Sequence, residues 1–153
     1  MSHAVDAVLD AIESVLKAGV SAVDERVFCL PVHQLRDNDM PCLVVQNVSD
    51  ELVEAIAAAP RNERRRLSFS VFCLAQVSTG LRATVGALRA DVERSLLGSS
   101  GAATLGGIAR RGLEFKSAAL EFDGDSLQKP CGGWRIEFNC IYHLRTDAPE
   151  TTS

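Results

Sequence analysis

Apolar and polar residues alternate without a break near the end of the chain. Trp134, Ile136, Phe138, Cys140, Tyr142 and Leu144 share one parity. Arg135, Glu137, Asn139, Ile141, His143 and Arg145 share the other. Side chains alternate faces along a strand, so Gly133–Arg145 reads as a β-strand with one apolar and one mostly polar face. The only Trp and the only Tyr stand on the apolar side, where aromatic rings bury the most area per residue. A sheet is therefore expected here, one side covered and the other wet or facing a partner.

The earlier elements follow from the same kind of pattern. Val5, Val8, Leu9, Ile12, Val15 and Leu16 recur at helical spacing over residues 3–18, with Asp6, Asp10, Glu13 and Lys17 opposite. Ser2 or His3 would cap this helix and Gly19 would stop it. Two strands come next: RVFCL at 26–30, ended by Pro31, and CLVVQNV after Pro41, with the loop HQLRDNDM between them. The continuous apolar run of the second suits a central strand. SDELVEAIAAA at 49–59 has the composition of a helix with a Ser or Asp cap, and its spacing also fits a strand edge running into a loop. Leu67–Val77 alternates again and is entered through Arg64, Arg65 and Arg66.

A second helix is expected over about 80–97, capped by Ser78 or Thr79, with Leu81, Val85, Leu88, Val92 and Leu96 on one side and a stop at Gly98. GSSGAATLGG at 98–107 is too poor in side chains to pack. Arg110–Phe122 reads as a strand bulged near Ser117–Ala119. A turn-rich DGDSLQKPCGG leads to the last strand, and TDAPETTS is a polar tail, expected to be mobile. The predicted order is α-β-β-β-α-β-β: a single α+β domain over 1–153, its mostly antiparallel or mixed sheet packed by two principal helices.

Composition narrows the function classes. A 153-residue chain with 46% hydrophobic and 24% charged residues can bury one substantial core. Its net charge of −4 does not favour nucleic acid, and no sequence-specific nucleic-acid partner is expected. No apolar run approaches the ~20 residues of a membrane helix, and the start MSHAVDAVLD lacks a signal-peptide pattern. A cytosolic protein without a membrane partner is expected. Three of the 16 basic residues are Lys17, Lys116 and Lys129 and the rest are Arg, a bias that suits bidentate contacts with carboxylates or phosphate.

Catalytic chemistry finds little to build on. Cys29, Cys42, Cys73, Cys131 and Cys140 form no CxxC pair and read as small buried hydrophobes in a reducing compartment. Cys29, His33 and Cys42 could be combined into a metal site only with unusual spacing, so no metal and no cofactor are expected. The Gly-rich run lacks GK[ST] and follows a helix, which argues for a flexible loop over a phosphate cradle. No G-x-S-x-G elbow accompanies His3, His33 or His143, and Asp123 and Asp125 are explained by turn chemistry, so no catalytic residue is assigned and the chain is expected not to be an enzyme. The sharper signals are Arg64–Arg66 and Arg110–Arg111. Each is either a solvated basic face or part of an interface.

Taken in order, these segments resemble a known family. The leading amphipathic helix, RVFCLPVHQL, MPCLVVQN, RRRLSFSVFCLAQ, the helix LRATVGALRADVERSLL, the Gly-rich loop and two closing strands ending in IYHLRT resemble the tail terminator (minor tail protein U-like, tail completion) proteins of long-tailed bacteriophages and prophages. The resemblance covers roughly residues 3–146 and lies in element order and hydrophobic pattern. It implies a structural protein that caps the tail tube as a homohexameric ring, ends tube polymerisation and presents a surface to the head. Its partners would be copies of itself, the tail tube protein and the head–tail connector or head completion protein. It would sit in the host cytoplasm during assembly and then in the virion tail. A ring needs two different patches meeting around a closed rotation. Arg64, Arg65, Arg66, Arg110 and Arg111 are the candidates for one patch, opposed by Glu51 and Glu54. The loops at 33–40 and 98–107 would order on assembly. Five cysteines are not part of the family pattern. The alternative is a small dimeric ligand-binding α+β domain of bacterial metabolism, and after it an unrecognised enzyme, which a pocket lined by His143 and carboxylates would favour.

Overall fold

A computed structural model describes residues 3–30, 40–56, 62–76, 79–98, 113–123, 131–145 and 148–152. Helix α1 spans Ala4–Gly19, and a short 3-10 turn follows at Ser21–Val23. The His3 imidazole caps α1 by accepting from the Val5 N–H. Strands β1 (Val27–Cys29), β2 (Cys42–Ile56) and β3 (Asn62–Gln76) precede helix α2 (Leu81–Leu97). Strands β4 (Leu113–Asp123), β5 (Cys131–Arg145) and β6 (Ala148–Thr152) close the chain. The order α-β-β-β-α-β-β is therefore the observed one, with a short sixth strand added, in a single α+β domain.

The sheet runs β1-β2-β3-β5-β4, with β6 on the far end of β5. Only the β1–β2 pair is parallel; β2–β3, β3–β5 and β5–β4 are antiparallel. β5 lies inside the sheet, and its apolar parity is what the two helices cover. Ile136, Phe138, Cys140, Tyr142 and Leu144 are buried, and Phe138 stacks on Phe69 of β3 at 5.6 Å between ring centroids. From the helices, Ala4, Val8, Leu9, Ile12 and Leu16 meet Leu81, Val85, Leu88, Val92 and Leu96 over that face. Strand and helix periodicities thus converge on one core, and burying each such side chain contributes about 1.5–3 kcal/mol.

Two glycines are fixed by close approach. A Cβ on Gly133 would run into the Cys73 carbonyl oxygen where β5 pairs with β3. One on Gly19 would collide with the Ser95 hydroxyl, where α1 passes α2. Gly19 is the last residue of α1, and the cap itself is Val20.

The structure departs from the sequence pattern at five places. The described part of 49–59 takes the strand alternative and not the helix: residues 49–56 extend β2, because Asp50, Glu51 and Glu54 find arginine partners on β3 and the hairpin register overrides helix propensity. β3 begins at Asn62, so Arg64–Arg66 are strand interior, not an approach to a strand. Helix α2 takes Gly80, in the left-handed region at φ 70°, as its N-cap, without a side-chain cap. Residues 148–152 of the polar terminal segment pair as β6 beside Leu144 and Arg145. The β4 bulge falls between Phe115 and Ser117, at Lys116, just before the Ser-Ala-Ala expected to carry it. Of the loops assigned to 33–40 and 98–107, residues 33–39 and 99–107 lie outside the described residues.

Candidate protein interface

The described candidates, Glu51, Glu54 and Arg64–Arg66, gather on the far half of the β2–β3 hairpin. Both strands have 15 residues. β2 turns outward at a bulge between Gln46 and Ser49, where Asn47 adopts φ 56°, a conformation Asn accepts more readily than most residues. Beyond it every residue from Ser49 to Ala55 is exposed. Exposed apolar side chains remain there, Leu52 at 53% and Val53 at 39%.

Strand geometry divides the three consecutive arginines between two surfaces. Arg64 and Arg66 project on the open face of the sheet, where Arg64 Nη1 donates to Glu54 Oε2 at 3.2 Å and Arg66 Nη1 donates to Glu51 Oε1. Arg65 has the parity of Leu67 and Phe69, toward the helices. It donates to Glu63 at 2.9 Å and to Asp50 Oδ2 at 3.3 Å. The Tyr142 hydroxyl donates to that same Asp50 oxygen at 2.8 Å. Glu51 and Glu54 thus lie opposite Arg66 and Arg64 within one chain, forming a cross-strand ladder. Arg110 and Arg111 lie outside the described residues.

The Arg65–Asp50–Tyr142–Glu63 group was not legible in the sequence. Tyr142 is fully buried, and burial first, then the Asp50 carboxylate, push its phenol further above the usual range, against the opposing effect of Arg65. For Arg65, burial favours losing the proton, but its hydrogen bonds to Glu63 and Tyr142 outweigh that and the guanidinium is held more firmly charged. The one available signal was the alternation itself: a tyrosine between Cys140 and Leu144 on a buried parity needs a polar partner for its hydroxyl.

The open face is polar and shallow. Ser68 Oγ donates to Asn139 Oδ1 at 2.8 Å at its centre. One cavity of about 160 Å3 is lined by Asn47, Ser49, Ser68, Ser70, Lys116 and Glu137 among others. A second, of about 120 Å3, lies between Val53, Arg64, Arg66, Glu114, Asn139 and Ile141. His143 lines neither.

Nucleophile and metal chemistry have weak footing in the described residues. Burial pushes the Cys73 and Cys140 thiols up to about 12, and burial with nearby Glu13, Asp10 and Asp6 raises Cys29. The thiolate is the reactive form, and burial disfavours it at Cys73 and Cys140. Among the described residues no three His, Cys, Asp or Glu side chains are grouped to hold a metal ion. His33 is outside them. No described helix is long and apolar enough to cross a membrane.

Compared with known proteins, the chain matches no family model and no curated protein.

Proposed function

We propose that this chain is a structural protein of a bacteriophage or prophage, a tail terminator that caps the tail tube as a hexameric ring, ends its polymerisation and offers the head its joining surface. The observation that supports this reading is the element order. An amphipathic helix, three strands, a second helix and two closing strands occur in the order the resemblance calls for, in one domain. The surface is compatible with such a role. One sheet face is covered by helices while the far hairpin arm, with its arginine–glutamate ladder, stands clear of the core. Arg is enriched where protein surfaces meet, and a charged ladder gives an interface register and specificity.

Solution mass over a wide concentration range, with negative-stain imaging of large species, tests the reading. The expected result is a particle near six times 16.4 kDa with a ring outline, either free or captured on added tail tubes. A tight two-fold dimer, or a monomer that tail tubes never capture, overturns it.

A further inference from the structure

Two edges of the sheet carry no neighbouring strand among the described residues. β1 lies only along Leu43–Val45, which leaves the outer edge of β2 bare from Gln46 onward. β4 has β5 on one side and nothing on the other. A bare edge presents a row of unpaired N–H and C=O groups, a template for another strand. The exposed large hydrophobic residues concentrate there too. Of Leu30, Leu52, Val53 and Phe115, Leu52 and Val53 stand on the β2 edge and Phe115 on the β4 edge.

We propose that these edges join, β2 of one copy to β4 of the next, as an antiparallel continuation of the sheet. The proposal rests on the ring reading above and names the contact by which the ring closes. Strand direction permits it: three successive antiparallel pairings make β2 and β4 run oppositely, so a neighbour related by rotation offers β4 in the right sense. The faces also agree. Leu52 pairs with Arg65 and shares the helix side with Tyr142, and Phe115 pairs with Phe138 on the same side. Setting Leu52 against Phe115 of the next copy brings these two exposed apolar groups together. It also places Glu51 opposite Lys116 of that copy, both on the open face. Their side chains are 63% and 56% exposed, and Lys116 otherwise holds only a long 3.9 Å contact to Glu137.

The joined register also carries a stagger. Within one chain Phe115 is level with Phe69, whereas Leu52 is level with Arg65, four residues earlier on β3. Each join therefore steps along the strands by about 13 Å, at about 3.3 Å per residue. A ring closed through this register therefore has its strands tilted to the ring axis.

Leu52→Cys and Phe115→Cys variants of the full chain, separately and mixed, under mild oxidation, test the contact, with cross-linked peptides identified by mass spectrometry. The expected result is a 52–115 bridge only in the mixture, and in the double variant a ladder of covalent species ending at the ring. Bridges between two Leu52→Cys chains, or rings formed with no 52–115 bridge, overturn the edge contact and leave the ring reading standing. A 52–115 bridge found only in open chains supports the contact and overturns the ring. No assembly of any size, with or without tail tubes, overturns both. Independently of cysteine, Glu51→Lys or Lys116→Glu should weaken association by about 2–5-fold, and the two together should restore it. A double variant no better than the singles counts against the pairing.

Discussion

The two halves of the β2–β3 hairpin are held by different forces. In the near half, Leu43, Val45, Val71, Cys73 and Ala75 are buried beneath the helices. In the far half, Ser49–Ala55 are exposed, and what fixes the pairing is the backbone ladder with ion pairs laid across it. One half is built by excluding water, where each contact is worth kilocalories. The other stays in water, where an exposed ion pair contributes little. At their boundary the Tyr142–Asp50–Arg65 group ties the arm to the core. The far half thus keeps its shape with little stability of its own.

That contrast can be broken most strongly from the core side. Phe138→Ala should cost about 3–5 kcal/mol, because the ring is fully buried between Phe69 and Phe115 and its loss leaves a cavity. Since a domain's whole margin is about 5–15 kcal/mol, a large fall in the urea midpoint is the expected readout. A change below about 1 kcal/mol would show that the core is not where stability resides.

At the boundary, Tyr142→Phe removes one hydroxyl and keeps the ring. It should cost about 1.5–3 kcal/mol in the same titration, the usual value of a hydrogen bond to a charged acceptor. Hydrogen exchange should rise most in residues 49–56 and 62–66 and least near Ile136. Uniform acceleration would mean that arm and core are a single cooperative unit.

The smallest effect belongs to the arm. Arg66→Ala should cost about 0.2–1 kcal/mol, since Arg66 and Glu51 are 41% and 63% exposed, and the difference should shrink as salt is raised. A loss as large as that of Tyr142→Phe would refute the division between a dry and a wet half.

The sequence was most informative where periodicity was long. The five apolar residues assigned to α2 are the five it buries, and the alternation of β5 marks its buried face down to Leu144. It misled where local composition met a tertiary partner. SDELVEAIAAA is a good helix sequence, but a strand that sets Glu51 and Glu54 beside arginines 15 and ten residues away satisfies those carboxylates better. The same blind spot hid the arginines' division, since a run of three looks like one patch until it is placed on a strand and alternates. Glu51 and Glu54 were legible as partners for arginine, but not that the arginines belong to the same chain. The Asp50–Tyr142 bond, spanning 92 residues, had no local signature.

Trp134 is the chain's only indole. The Arg89 guanidinium lies over it at 4.3 Å from the ring centroid, and Leu120 of the β4 edge strand pairs beside it. Its fluorescence therefore comes from one position, on the strand adjacent to that edge and under a helix-borne cation. The protein carries its own optical probe, able to follow in real time whatever docks along that side without any label being attached.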